Sequence, residues 1–189
     1  MHRSATGMEN EGMILPLGFF PEAGWYTLAQ RGCACARVNP AQYPAARQTL
    51  LRGPNGIQTL RIPLEKKRPG NIADPEKWKR ETLQAIRTAY GTAPFYPYYD
   101  YLLAEVLEST QSFDALCANA DAFCRRVLNL EPAEQTADYT GKWPELPVLA
   151  YDYGQRFTEQ YPFSERISIL DIVFNAGPLS CEVIAGKPL

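Results

Sequence analysis

The chain has 189 residues, of which 46% are hydrophobic and 21% are charged, and its formal net charge is −2. This length suits one domain with a core large enough to fold without disulfides or a metal. A pI near 5.5 argues against a nucleic-acid-binding protein. No run of about 18 apolar residues occurs, so we predict no membrane span. We expect a disordered polar lead over residues 1–12 and one domain over residues 13–189.

The five cysteines are an odd number and follow no recognisable export signal, which favours a reducing, cytoplasmic location over a secreted disulfide framework. The tempting pair Cys33 and Cys35 lacks the C-x-x-C spacing of zinc and redox sites, so buried strand positions are the favoured interpretation and a functional thiol is the alternative. Cys117 and Cys124 lie on an apolar helical stripe and are expected in the core. We predict no structural metal, no disulfide and no cofactor.

The first elements form a strand–helix–strand unit. Residues 13–17 are a short apolar run typical of a buried strand. Residues 22–31 follow Pro21 with a helical apolar face, and Gly32 provides a left-handed stop. Residues 33–38 give a second strand, and the unit predicts a partly parallel sheet.

A hairpin is the clearest β signal. Residues 48–52 and 57–63 flank Gly53-Pro54-Asn55-Gly56, where Asn55 and Gly56 accept the positive φ angles of a tight turn. The alternation of the second strand predicts that Leu60 and Ile62 face the core.

Helices dominate the rest. Asp74-Pro75-Glu76 is a helix start in which the Asp side chain is expected to cap free amides, and Gly91 ends that helix. Further helices are predicted over 95–108, 113–128 and 168–175, and strands over 136–140 and 146–153. The prediction is an α/β fold: a single domain whose mixed sheet has the hairpin at one edge and helices covering its faces.

Candidate acid–base residues are few. The only histidine is His2, in the polar lead, which argues against a Ser–His–Asp or Cys–His site within the chain. Asp171 lies among apolar helical residues, where a carboxylate must face solvent or find a donor. It is the best candidate for a catalytic acid, and the alternative is a structural partner of the backbone or of Arg166.

Charge is unevenly distributed. Residues 47–87 hold ten basic and four acidic side chains, whereas residues 97–165 hold twelve acidic and four basic ones. This predicts a site for an anionic small molecule such as a nucleotide sugar, because arginine grips phosphate oxygens as a fork. The candidate ligand contacts are Arg47, Arg52, Lys79, Arg80, Tyr98 and Tyr101. The two tyrosines would stack a sugar ring. Solvated helix faces and an aromatic core corner are the alternatives.

Several phrases read together resemble a known family. They are LPLGFFP at 15–21, GPNGIQTLRIPL at 53–64, KWKR at 77–80, AYGTAPF at 89–95 and SILDIVFNAGP at 168–178. In this order and spacing the chain is similar to the WbqC-like family of bacterial proteins over roughly residues 13–184.

The resemblance implies an association with genes for O-antigen and other surface polysaccharides. It suggests a tailoring step on an activated sugar, such as amide or acyl attachment. The chain departs from the family pattern at polar positions: Thr82 stands where many relatives have His, Asn39 where an acidic residue or His is common, and Arg47-Gln48 where Asn-Arg is usual. A degenerate relative that serves as a ligand-binding or protein-interaction module is therefore the alternative.

Overall fold

The computed structural model describes residues 13–108, 112–136, 138–147, 153 and 166–187. The predicted lead over 1–12 and most of the predicted strand over 146–153 lie outside these residues. In chain order the elements are β1 (Ile14–Pro16), α1 (Ala23–Ala29), β2 (Ala34–Ala36), a 3₁₀ turn (Pro44–Arg47), β3 (Gln48–Gly53), β4 (Gly56–Arg61), α2 (Pro75–Tyr90), α3 (Tyr96–Glu108), α4 (Phe113–Val127), β5 (Gln135–Thr136), α5 (Ile169–Ala176), a second 3₁₀ turn (Gly177–Leu179) and α6 (Ser180–Ile184).

The first sheet is parallel, with β2 between β1 and β5. Leu15 pairs with Cys35, and Cys35 pairs with Gln135. Helix α1 makes the crossover from β1 to β2, and Gly32 follows it with a φ of 84°, the left-handed stop that the sequence predicts. The α/β class and the parallel start are confirmed.

The hairpin β3–β4 forms a separate two-stranded sheet in the described residues, and is not an edge of a mixed sheet. The 3₁₀ turn Pro44–Arg47 redirects the chain between β2 and β3, since proline fixes the backbone and lacks an amide donor. Gly53 pairs with Gly56 across the turn. The two residues of the turn are therefore Pro54 and Asn55. Among residues 53–56 only Gly56 has a positive φ, at 103°, so the prediction of a positive φ at Asn55 is wrong. Leu60 and Ile62 are buried as predicted.

Helix α2 begins and ends where the sequence indicates, but its cap differs. Asp74 has a φ of 46° and its side chain makes no capping hydrogen bond, so the predicted Asp cap is wrong. Helix α4 is capped conventionally, because Ser112 accepts a hydrogen bond from the amide of Ala115 at 3.2 Å.

The core lies between the parallel sheet, the hairpin and the helices. Helix α5 is buried along its whole length, and six of its eight residues are apolar, as expected of a helix in the interior of a protein. The five cysteines carry free thiols, and four of them are buried while Cys181 is half-buried. The expected core positions of Cys117 and Cys124 are confirmed.

Candidate functional site

A cleft of about 530 Å³ opens at the carboxyl ends of the parallel strands. Its walls are the loop that follows β1, the start of β3, the loop that follows β5, and Arg166. This is where open α/β sheets bind ligands, because the loops there diverge from a fixed framework. The residues that line it are Gly18, Phe19, Phe20, Pro21, Glu22, Ala45, Gln48, Thr49, Leu50, Trp143, Pro144, Glu145, Leu146, Pro147 and Arg166.

The polar lining of this carboxyl-edge cleft is mixed in charge. Glu22 and Glu145 bring carboxylates, and exposed Arg166 brings a guanidinium. The side-chain oxygen of Gln48 accepts a hydrogen bond from Arg61 at 3.1 Å. Together with the half-buried indole of Trp143, these groups can bind hydroxyls, an anion and a flat apolar face at once.

Trp143 packs against Tyr43, which in turn packs against Tyr139. The ring centroids of Trp143 and Tyr43 are 6.3 Å apart, and those of Tyr43 and Tyr139 are 5.5 Å apart. The Tyr43 hydroxyl donates to the carbonyl of Gly141 at 2.7 Å, and the Tyr139 hydroxyl donates to the carbonyl of Lys142. The loop that carries Trp143 is therefore fixed to the segment before β3.

The loop after β1 holds a strained residue at the cleft wall. Phe20 has a φ of 44°, which a bulky L-residue rarely adopts. Its carbonyl accepts hydrogen bonds from the hydroxyls of Thr49 at 2.7 Å and Ser168 at 3.1 Å. Its ring is fully buried and meets Phe123 edge-on, with centroids 6.2 Å apart.

A second polar group lies inside the core, further along β3. The Tyr153 hydroxyl donates to a carboxylate oxygen of Asp171 at 2.6 Å, and the Tyr90 hydroxyl accepts from the backbone amide of Arg52 at 3.2 Å. Burial raises the pKa of both tyrosines, and the charge of Asp171 raises the pKa of each further. Asp171 and Arg52, both predicted site residues, are thus brought together, but at 2% and 1% exposure.

The other predicted contacts are dispersed. The Lys79 amine lies 3.1 Å from a Glu76 carboxylate oxygen and 3.1 Å from the carbonyl of Glu108. Arg80 is exposed on α2, and Tyr98 and Tyr101 are exposed on α3. Their roles as ligand contacts stay predictions.

Arg47 lies between the cleft residues Ala45 and Gln48 along the chain. In the described part of the chain, its Nε is buried without a hydrogen-bond partner. It is the predicted basic contact that the fold leaves nearest the cleft in sequence.

A larger cavity of about 770 Å³ opens at the opposite, amino-terminal edge of the parallel sheet. Arg125 lies in its wall, paired with Asp121 at 2.7 Å and donating to the Cys35 sulfur at 3.3 Å. Burial and the charge of Asp121 outweigh Arg125 and raise the pKa of the Cys35 thiol to about 12. These contacts stabilise the core and leave no reactive thiolate at Cys35. The i, i+4 spacing of Asp121 and Arg125 was the available signal for this pair.

Sequence reasoning missed most of the carboxyl-edge cleft. Trp143 and Glu145 lie in a proline-rich loop without periodicity, and Glu22 looks like an ordinary first helical residue. The usable signal was the phrase LPLGFFP, whose last four residues form a wall of the cleft.

Within the described residues, no three His, Cys, Asp or Glu side chains converge as a metal site would require. Nor does any helix there combine the length and apolar character needed to cross a bilayer.

Comparison with known proteins gives one assignment. No curated protein and no solved structure shows significant similarity to the chain. The model of the WbqC-like protein family matches residues 19–142, which include part of the loop after β1, the hairpin and the helices α2 to α4. By this match over well more than half of its length, the chain belongs to the WbqC-like protein family.

Proposed function

We propose that the protein binds an activated sugar, such as a nucleotide sugar, in the carboxyl-edge cleft and tailors it during the synthesis of a surface polysaccharide of the O-antigen type. The observation that carries the proposal is the cleft's composition: an indole wall, two carboxylates, an amide and an arginine at the carboxyl ends of parallel strands. The family's association with surface-polysaccharide genes supports the pathway.

The sugar is assigned to the Trp143 wall. The C–H face of a pyranose packs on an indole, while its hydroxyls require planar polar partners such as carboxylates and amides. Glu22, Glu145 and Gln48 lie in the same cleft and have the right chemistry.

The phosphate is assigned to Arg166. A guanidinium binds phosphate oxygens as a two-pronged donor, and this side chain is exposed, so it can turn toward a ligand without uncovering the core. Arg47 is the second candidate, because along the chain it lies between the cleft residues Ala45 and Gln48 and its guanidinium has the same chemistry.

The reaction proposed is acyl transfer: a hydroxyl or amine of the bound sugar attacks the carbonyl of an activated acyl donor, an ester or amide bond forms, and the donor's leaving group departs while the sugar nucleophile loses its proton. Glu22 and Glu145 are the cleft's candidate acid–base groups. In this proposal Asp171 acts as a positioning residue, because it lies in the core against Tyr153 rather than among the residues lining the cleft.

A binding or interaction module is the second candidate. The burial of Asp171 favours it, because this predicted acid is only 2% exposed and accepts a hydrogen bond from the hydroxyl of Tyr153. Such a carboxylate stabilises a fold without reaching a ligand.

The test is calorimetric titration of the full chain with a panel of nucleotide sugars, comparing wild type with Arg166→Ala. Loss of a charge-assisted contact should weaken binding about 10- to 100-fold. The control is Arg87→Ala, an exposed arginine on α2, which should bind like wild type. Incubation with the sugar and acyl donors, followed by mass spectrometry, separates turnover from binding alone. Absence of any binding, or equal binding by Arg166→Ala, refutes the proposed site.

A further inference from the structure

The carbonyl of Phe20 is a junction of three chain segments. It belongs to the loop after β1, and it accepts one hydroxyl from β3 and one from the residue that caps α5. Thr49 donates at 2.7 Å and Ser168 at 3.1 Å, both in buried surroundings. Two donors on one carbonyl fill both of its lone pairs, so its position is defined in two directions.

The backbone at this junction requires restraint. A non-glycine residue with a φ of 44° is strained and persists only where its surroundings over-determine it. Further hydrogen bonds join the same loop to the core: the Phe19 amide to the Ala46 carbonyl, and the Ile169 amide to the Pro21 carbonyl, each at 2.9 Å. The hydroxyls act directly on the strained residue itself.

We infer that the hydroxyls of Thr49 and Ser168 are positioning groups of the carboxyl-edge cleft: they hold Phe20 in its left-handed conformation and so fix the wall that carries Pro21 and Glu22. The choice of ligand rests on the proposed function, whereas the mechanical role does not. A preformed wall matters because binding groups that move must be ordered at a cost in affinity.

Packing alone does not explain why position 49 carries a threonine, whose side chain has a hydroxyl, in place of a valine of similar shape. The side chain is 4% exposed and its backbone pairs with Leu60 across the hairpin. Valine has the same branched shape and favours strands at least as well. Replacing threonine by valine therefore removes the hydrogen bond while keeping the shape.

The experiment measures hydrogen exchange in the ligand-free protein at the backbone amides of residues 19–22, which are those of Phe19, Phe20 and Glu22 because Pro21 has no N–H. In Thr49→Val we expect these amides to exchange about tenfold faster than in wild type, since the buried Phe20 carbonyl loses the nearer of its two hydroxyl donors. Thr49→Ser keeps the hydroxyl and should restore slow exchange. The control Thr59→Val changes an exposed threonine of the same hairpin and should leave residues 19–22 unaffected.

Ser168→Ala gives an independent variant if Thr49→Val does not fold. The Ser168 hydroxyl also accepts from the Leu170 amide at 3.2 Å, so its loss uncaps a helix as well. Ser112→Ala is the matched control, because it removes the same type of cap from α4 without touching Phe20. Faster exchange at 19–22 in Ser168→Ala but not in Ser112→Ala supports the inference.

Unchanged exchange at 19–22 in both Thr49→Val and Ser168→Ala overturns the inference. Titration with the best nucleotide sugar adds the functional readout, where Thr49→Val should bind about tenfold more weakly and Thr49→Ser like wild type. If the wild type binds no nucleotide sugar, the proposed function fails while the exchange comparison still decides the role of the hydroxyls.

Discussion

The hydroxyl of Tyr153 lies 2.6 Å from a carboxylate oxygen of Asp171, with both side chains buried. Burial and the negative charge of Asp171 raise the pKa of Tyr153 well above its usual value. The phenol therefore stays protonated and remains a donor throughout the ordinary pH range. This contact turns an isolated carboxylate in an apolar helix into a satisfied one.

Removing the donor should destabilise the fold. We expect Tyr153→Phe to lower the free energy of unfolding by about 1–3 kcal/mol, because the carboxylate keeps its burial and loses a partner. Urea denaturation followed by circular dichroism measures the change. Tyr101→Phe, which removes a hydroxyl from a side chain 58% exposed, should stay within about 0.5 kcal/mol of wild type. Equal effects of the two variants would contradict a structural role for the contact.

Local patterns predicted the elements well because each rests on neighbouring residues. Short stretches of sequence contain the signals for three of these features. They are the alternation around Leu60 and Ile62, the apolar stripe of α4 and the stop at Gly32. The failures are also physical. Asp74 adopts a left-handed backbone instead of capping, and the hairpin forms its own sheet, an outcome of long-range pairing that its local alternation does not encode.

The site was harder to predict, because its residues come from loops far apart in sequence. Trp143, Glu22 and Arg166 meet only once β1 and β5 lie in one parallel sheet. Charge density pointed to residues 47–87, yet Lys79 from that segment is engaged with Glu76 and Glu108. Composition shows that a segment is rich in basic side chains, but it does not show which of these side chains already form ion pairs in the folded protein.

Thiol reactivity should single out one cysteine. Cys181 is half-buried, whereas the other four are buried and burial is the leading cause of a raised pKa in each. Because the thiolate is the reactive form, the native protein should react rapidly at one thiol and the denatured protein at all five. Cys181→Ser should abolish the fast phase. Two or more fast thiols, or fewer than five after denaturation without reductant, would contradict the structure.

The hairpin's inner face should be sensitive to truncation. Ile62→Ala should lower the free energy of unfolding by about 2–5 kcal/mol, and Leu60→Ala by a similar amount, because each leaves a cavity in the core. Ile57 lies on β4 with Leu60 but is 48% exposed, so Ile57→Ala serves as the control. Chemical denaturation gives the three values, and an unchanged midpoint for Leu60→Ala would show that the facing of β4 is misassigned.

Alanine substitutions at two glycines should distinguish the cost of backbone strain from the cost of a steric clash. Gly32 has a φ of 84°, and a Cβ added there would meet open space, so Gly32→Ala should cost about 1–2 kcal/mol from strain alone. Gly177 also has a positive φ, and a Cβ there would lie 2.3 Å from the ring of Phe95. Gly177→Ala should therefore cost about 2–5 kcal/mol, strain and overpacking together. Gly70→Ala, with neither feature, is the control, and equal denaturation midpoints for Gly32→Ala and Gly177→Ala would argue against the close approach of Phe95.

Trp143 should report ligand binding directly. The other two tryptophans are buried, Trp25 at 0% and Trp78 at 6% exposure, whereas Trp143 lies in the cleft wall. A nucleotide sugar stacked on its indole should therefore change the tryptophan fluorescence of the wild type. In Trp143→Phe this signal should disappear.

The affinities of two Trp143 variants distinguish direct stacking of the ligand on this indole from a fluorescence change that arises at another tryptophan. Trp143→Phe keeps an aromatic face, so calorimetry should find affinity close to that of the wild type. Trp143→Ala removes the face and should weaken binding about three- to tenfold, the usual worth of an aromatic contact beyond its area. A fluorescence change that survives in Trp143→Phe would place the ligand near another tryptophan. Equal affinity of the wild type and Trp143→Ala would contradict the proposed stacking of the sugar on Trp143, because no stacking contact would have been lost.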